Sequence, residues 1–243
     1  MPYNVSMMNM HKEHSKLLAE IKRNAGRGTK HSWSSVYLGN DRPKYDISNP
    51  IRRKIAKVWL RENKNISNKD FVSVVNSLYG GKSGEEISFA GMLLGYNAAG
   101  RGAVKLTDLD RWLSDLRGWS EVDSLCQNVF TYKEMLVSWG AWKKFLIKLS
   151  KDKNINKRRS SLVFLTSPVN YSNDVRIRDL AFELVAELEN EKPILITKAI
   201  SWLLRSMVEQ HKILVSKYIN DHRATLPKIA IRETERKIKT GRK

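Results

Sequence analysis

An all-α fold is what this sequence predicts, built as an α-solenoid of stacked antiparallel helix pairs around a concave basic groove. Three observations carry that expectation. Apolar residues recur at helical spacing in segment after segment, joined by short polar turns, while strand signals are weak. Proline is scarce, with 6 in 243 residues, and falls mostly at segment edges: Pro43, Pro50, Pro168, Pro193 and Pro227. There its missing N–H leaves no helix bond unmade. The charge is strongly positive, with 44 Lys and Arg against 25 Asp and Glu and a net charge of +19. It is also spread along the chain, as a groove lined repeat by repeat requires.

The elements follow in order. Residues 1–48 read as an N-terminal helix and loop region, with a Gly-, Ser- and Lys-rich loop over 26–49 that carries Trp33 and Tyr37. Residues 49–240 read as the helical repeat domain, continuous with it. Pro50 opens a helix through Arg61, whose stripe is Ile51, Ile55, Val58 and Trp59. Ser67 caps a helix over 69–79, stopped by Gly80 and Gly81. Helices are expected over 85–97, over 107–116 with Thr107 as cap and Gly118 as stop, over 119–129, 132–139 and 142–149. Further helices read over 156–165, 174–188, 193–207, 210–219 and 227–239. The run Ser161–Leu165 has strand composition, but its helical neighbours favour helix. No repeated motif is crisp, so any repeat is degenerate, and a compact all-α bundle is the rival. The basic tail, 237–243, is expected to fray.

The excess charge narrows the class of function. A hydrophobic content of 41% supports a sizeable core and excludes wholesale disorder. Nineteen uncompensated positive charges oppose compaction unless a polyanion is bound, which points first to nucleic acid and then to an anionic membrane surface. Clusters stand at Arg52-Arg53-Lys54, at Lys143-Lys144 with Lys148, over 151–159, at Arg176 with Arg178, and over 232–243. No zinc finger, basic zipper or helix-turn-helix signature implies base-specific reading. The single cysteine, Cys126, excludes an internal disulfide and suits a reducing compartment. The start, MPYNVSMMNMHKEHSK, lacks a signal-peptide core, and no apolar run reaches the ~18 residues of a membrane span. A cytoplasmic location, no membrane partner and a monomer without an obligate protein partner are therefore expected.

Three stretches could carry chemistry. In GWSEVD, Trp119 and Asp123 are four apart and share a helical face, placing an indole beside a carboxylate. The plain alternative is a core Trp with a capping Asp. Glu121 lies elsewhere on the wheel and is expected to be solvated. In NKRRSSLVFL, Arg158 and Arg159 begin an apolar helix, where the helix dipole disfavours cations and an external phosphate would relieve the conflict. The alternative is two exposed arginines. In LITKAISWLLR, Lys198, Trp202 and Arg205 form one polar-aromatic stripe, at a groove wall or against the core.

Other catalytic templates are absent: there is no P-loop, HExxH or G-x-S-x-G. His11 and His14 form a weak metal signal, more often an exposed pair, and 79–84 reads as a turn. No metal and no organic cofactor are called for.

Together, YLGN with IRRKIAKVW, then GWSEVD, RRSSLVFL, KAISWLLR and finally RET at 232–234 resemble the DNA alkylation repair glycosylases built from HEAT-like repeats, the AlkD type. The resemblance spans about residues 37–239. It implies excision of cationic N3- and N7-alkylated purines from duplex DNA. It implies Asp123 as the catalytic carboxylate, Trp119 and Trp202 as cleft tryptophans, and Arg159 as the arginine contacting the DNA backbone near the lesion. Arg158, Lys198 and Arg205 are the accompanying candidates for DNA contact. It further implies a lesion held against the DNA backbone, with Trp and Asp contacting the deoxyribose, instead of the usual flipped base. Two departures stand out. Asn156 occupies a position often aromatic, and the groove aromatic near the N-terminus has only Trp33 and Tyr37 as candidates. The alternative function is a non-enzymatic binder of branched or structured nucleic acid.

Overall fold

The computed structural model describes residues 10–27, 39, 41–127 and 129–242; Trp33 and Tyr37 lie outside them. Every regular element among the described residues is a helix. They are α1 (Lys12–Arg23), α2 (Asn49–Glu62), α3 (Asn68–Tyr79), α4 (Gly84–Tyr96), α5 (Ala98–Gly102), α6 (Leu106–Asp115), α7 (Gly118–Cys126), α8 (Tyr132–Val137), α9 (Trp139–Ser150), α10 (Ile155–Tyr171), α11 (Val175–Leu188), α12 (Ile194–Asp221) and α13 (Lys228–Thr240). The chain divides into two compact units, Met1–Arg117 and Gly118–Lys243. Within each, a helix packs on its neighbour and on the next but one: α3 on α4 and α5, α2 on α4, α10 on α11 and α12, α12 on α13. That pattern of near-neighbour contacts is what stacked helix pairs produce.

In the first unit, α1 is fixed by polar contacts as well as by Leu17 and Ile21. His14 is 1% exposed, with Nδ1 2.8 Å from Ser77 Oγ and Nε2 2.8 Å from Glu86 Oε1. Glu86 also accepts from the Ser83 N–H and hydroxyl, completing the capping box of α4. These bonds, His14 among them, outweigh the cost of burial and hold the carboxyl at a pKa of about 2. The expectation of an exposed histidine pair is thus corrected: His14 is a structural buried residue, and His11 caps α1 by accepting from Glu13 N–H. Two glycines are needed for close approach. A Cβ at Gly81 would stand 2.6 Å from the Glu86 Cβ, and one at Gly100 would stand 2.3 Å from Phe71 Cδ1.

In the second unit, α10 is the central helix. It packs against α7, α8, α9, α11 and α12, and Leu162, Val163, Phe164 and Leu165 are fully buried. Burial all round explains why it reads apolar on every side and why composition alone resembled a strand. It also runs to Tyr171, past the expected end at Leu165, with Pro168 inside it. Proline costs about 3 kcal/mol within a helix, and burial of Thr166, Pro168 and Val169 offsets it. The two helices expected over 193–207 and 210–219 are both present within α12 and meet at a kink, where the His211 backbone is non-helical (φ −134°, ψ 34°). The C-terminal segment is helical to Thr240, and Gly241 caps it in the left-handed region at φ 68°.

Candidate active site

Within the second unit Asp123 and Arg159 form an ion pair. Gly118, with φ 65°, turns the chain into α7, and the packed face of that helix is Gly118, Glu121, Val122 and Leu125. Glu121 is therefore 3% exposed, correcting the expectation that it is solvated: it lies on the core side of α7, while Trp119 and Asp123 lie about a third of a turn round the helix from the middle of that side. Those two residues stand at the edge of the packed face, both half-buried.

Arg159, on α10, is 4% exposed. Its Nε donates to Asp123 Oδ1 at 3.1 Å, and Nη2 donates to Oδ1 at 2.9 Å and to Oδ2 at 3.0 Å. Nη1 donates to the Leu195 carbonyl at 2.7 Å. One guanidinium thus ties together α7, α10 and the first turn of α12. All three of its nitrogens are engaged, in four hydrogen bonds, so most of its donor capacity is already spent inside the protein. The Asp123 side chain keeps 14% of its surface exposed. Three of roughly four acceptor positions on a carboxylate are taken, and the open one is on Oδ2. Burial pushes the Asp123 pKa up, and the charge and hydrogen bonds of Arg159 oppose that shift. Beside it, the fully buried Cys126 thiol is pushed well up by burial and by Asp123.

Helix α12 carries Trp202, the other indole expected from sequence. Trp202 is half-buried and lies seven residues past Leu195, so two turns along the same face. Lys198, between them, is exposed. Arg205 is already engaged: Nε donates to the Ser201 carbonyl at 3.2 Å, and Nη2 lies 3.5 Å from Glu233 Oε2. Ser201 Oγ donates to the same Glu233 oxygen at 2.5 Å. Glu233 of the RET segment therefore braces α12 on both sides of Trp202, a contact that sequence reasoning missed. The signal was a pair of acids, Glu233 and Glu235, inside a basic stretch. Arg158 is likewise anchored internally. Nε and Nη2 grip Glu191 at 2.7 and 3.0 Å, and Nη1 donates to the carbonyls of Asp152 and Lys153. The anion that relieves Arg158 at the helix start is thus a carboxylate of this chain. Among the described residues, no cluster of three His, Cys, Asp or Glu could hold a metal ion, and no helix is long and apolar enough to cross a membrane.

A family model described as DNA alkylation repair enzyme matches residues 17–238. The chain belongs to the DNA alkylation repair enzyme family. Membership gives it a role in alkylation repair, with DNA as substrate. Among solved structures, it is similar to a predicted DNA alkylation repair enzyme from Enterococcus faecalis, at 18% identity and a TM-score of 0.66, over 83% of this chain and 91% of that one. At that identity the likeness concerns the fold, and it agrees with the helical solenoid expected from sequence. No curated protein matches the chain.

Proposed function

We propose that the chain is a DNA glycosylase that hydrolyses the N-glycosidic bond of cationic N3- and N7-alkylated purines in duplex DNA. The observation that carries this reading is Asp123. It is a carboxylate with one open acceptor position, oriented by a buried arginine, with Trp119 one turn before it on the same helix. Family membership supports the reading by giving a role in alkylation repair with DNA as substrate.

The chemistry needs little from the protein. An alkylated purine is already positively charged, so it leaves as a neutral base when the C1′–N bond breaks and takes the electron pair. Positive charge then passes to the sugar. The carboxylate of Asp123 stabilises that oxocarbenium-like state, and water adds to C1′ with its proton passing to Asp123 or to solvent. A single fixed charge aimed at developing charge contributes about 10²–10³ in rate. Arg159 is a positioning residue: it fixes both carboxylate oxygens and favours the ionised form against burial. Trp119 and Trp202 present electron-rich faces to the cationic sugar. Lys198, exposed on α12, supplies a phosphate contact, while Arg158 and Arg205 act by holding α10 and α12 in place.

A second reading is a non-enzymatic binder of structured nucleic acid. The Asp123–Arg159 pair is the observation that favours it, because a buried ion pair can serve structure alone. Methylated duplex DNA distinguishes the two: abasic sites accumulate with the glycosylase, and binding without abasic sites supports the other.

A further inference from the structure

The first unit carries a charged helical face that the site around Asp123 does not use. On α2, Pro50, Arg53, Lys54, Lys57, Val58 and Arg61 follow one another at spacings of three, one, three, one and three. They therefore form a single face, and the same six residues line an open recess of about 670 Å³. All four cations are exposed. Among the described residues none of the four is in an ion pair, although most other arginines in the chain are. The adjacent Arg52 shows the contrast. It points inward, donating to Glu85 at 2.9 Å and to the Ile47 carbonyl at 2.8 Å. The opposite face, with Ala56 and Trp59, is buried, and the Trp59 indole donates to Glu13.

Two independent costs are built into this face. Like charges three and four residues apart on a helix repel. The first turn of α2 also contains no acid and ends on Arg52, so Arg53 and Lys54, which follow it near the positive end of the helix dipole, have no local carboxylate to offset them. Both costs fall when a polyanion lies along the helix. Lys57 is further directed by Tyr96 of α4, whose ring centroid is 5.7 Å from its Nζ.

We propose that the exposed face of α2 is a docking surface for the phosphate backbone of duplex DNA. It binds without reading sequence, on the unit that does not contain Asp123. This rests on the DNA-repair reading in naming DNA as the polyanion. From Arg53 to Arg61 the face runs about 12 Å at 1.5 Å per residue. Duplex DNA presents a negative charge every ~1.7 Å of axis, so that length offers ample phosphates for four cations.

The test is binding of a fluorescent 20-base-pair unmodified duplex to the full chain between 50 and 200 mM salt. The comparison sets wild type against Arg53→Ala/Lys54→Ala/Lys57→Ala/Arg61→Ala and a charge-retaining Arg53→Lys/Lys54→Arg/Lys57→Arg/Arg61→Lys variant. Helix content and thermal midpoint are recorded for all three. The alanine variant is expected to lose about 3.6 from the slope of log affinity against log salt. Over that salt range, its affinity then falls about 10² less than that of the wild type. The charge-retaining variant keeps the slope. An unchanged slope in a folded alanine variant overturns the docking surface. Loss of binding to anionic phospholipid vesicles with DNA binding intact overturns it too, in favour of a membrane surface. Base release from methylated DNA is followed separately. A wild type that binds duplex but releases no base ends the glycosylase reading, while the slope comparison still decides the role of α2.

Discussion

Replacing Arg159 by Gln isolates what the arginine does for Asp123. In the wild type, burial raises the Asp123 pKa and Arg159 opposes it. An adjacent arginine lowers a carboxyl pKa by about 1–3 units, so its removal raises the Asp123 pKa further. Each unit is worth about 1.4 kcal/mol. A group whose folded pKa is raised above its unfolded value is favourable below the unfolded pKa and unfavourable as pH rises through the folded one. The variant should therefore lose more stability at pH 7.5 than at pH 4, by about 1–4 kcal/mol. The pH dependence is the informative quantity, since lost packing and the lost bond to Leu195 weigh equally at both. Thermal unfolding of both proteins at the two pH values reads it, at roughly 2–4 °C per kcal/mol. The acid limb of the base-release profile should move up with the pKa. A penalty equal at both pH values, with an unshifted profile, would refute the claim that Arg159 keeps this carboxylate ionised.

Three further outcomes follow from the structure. Trp202→Phe should lower base release about tenfold with duplex affinity retained, checked by single-turnover excision beside fluorescence anisotropy. Glu86→Gln should remove an acid-sensitive contribution. The wild-type carboxyl moves from 4.5 to about 2, so its contribution of about 3 kcal/mol is present above pH ~4.5 and is lost as pH falls toward 2. Urea unfolding should show wild type and variant converging over that window. Gly100→Ala should destabilise by about 1–3 kcal/mol, because its Cβ meets the buried Phe71 ring at 2.3 Å; a midpoint equal to wild type would show that Phe71 moves aside freely.

Periodicity made the helices legible. Local chemistry made several ends legible too: Ser67 and Gly80 bracket α3 as their types suggest. What sequence could not resolve was how far burial carries a helix through an unfavourable residue, as α10 passes Pro168. Nor could it show which distant partner a charge finds. Arg158 and Arg159 look alike at the start of α10, yet one meets Glu191 and the other Asp123, each more than thirty residues away. Local spacing carries no information on such pairings. Glu121 illustrates the same limit: its place on the wheel was right, but which side of α7 faces α10 depends on the packing of the whole unit. His14 reads as a surface residue for the same reason, since Ser77 and Glu86 come to it from α3 and α4.

The most direct test of the account is chromatographic detection of 7-methylguanine or 3-methyladenine released from methylated duplex DNA by the purified protein and by Asp123→Asn. The account predicts release by the wild type, and a loss of at least about 10² in the variant with duplex affinity unchanged. A folded, DNA-binding wild type that releases no base, or a variant that releases it at the wild-type rate, would contradict it.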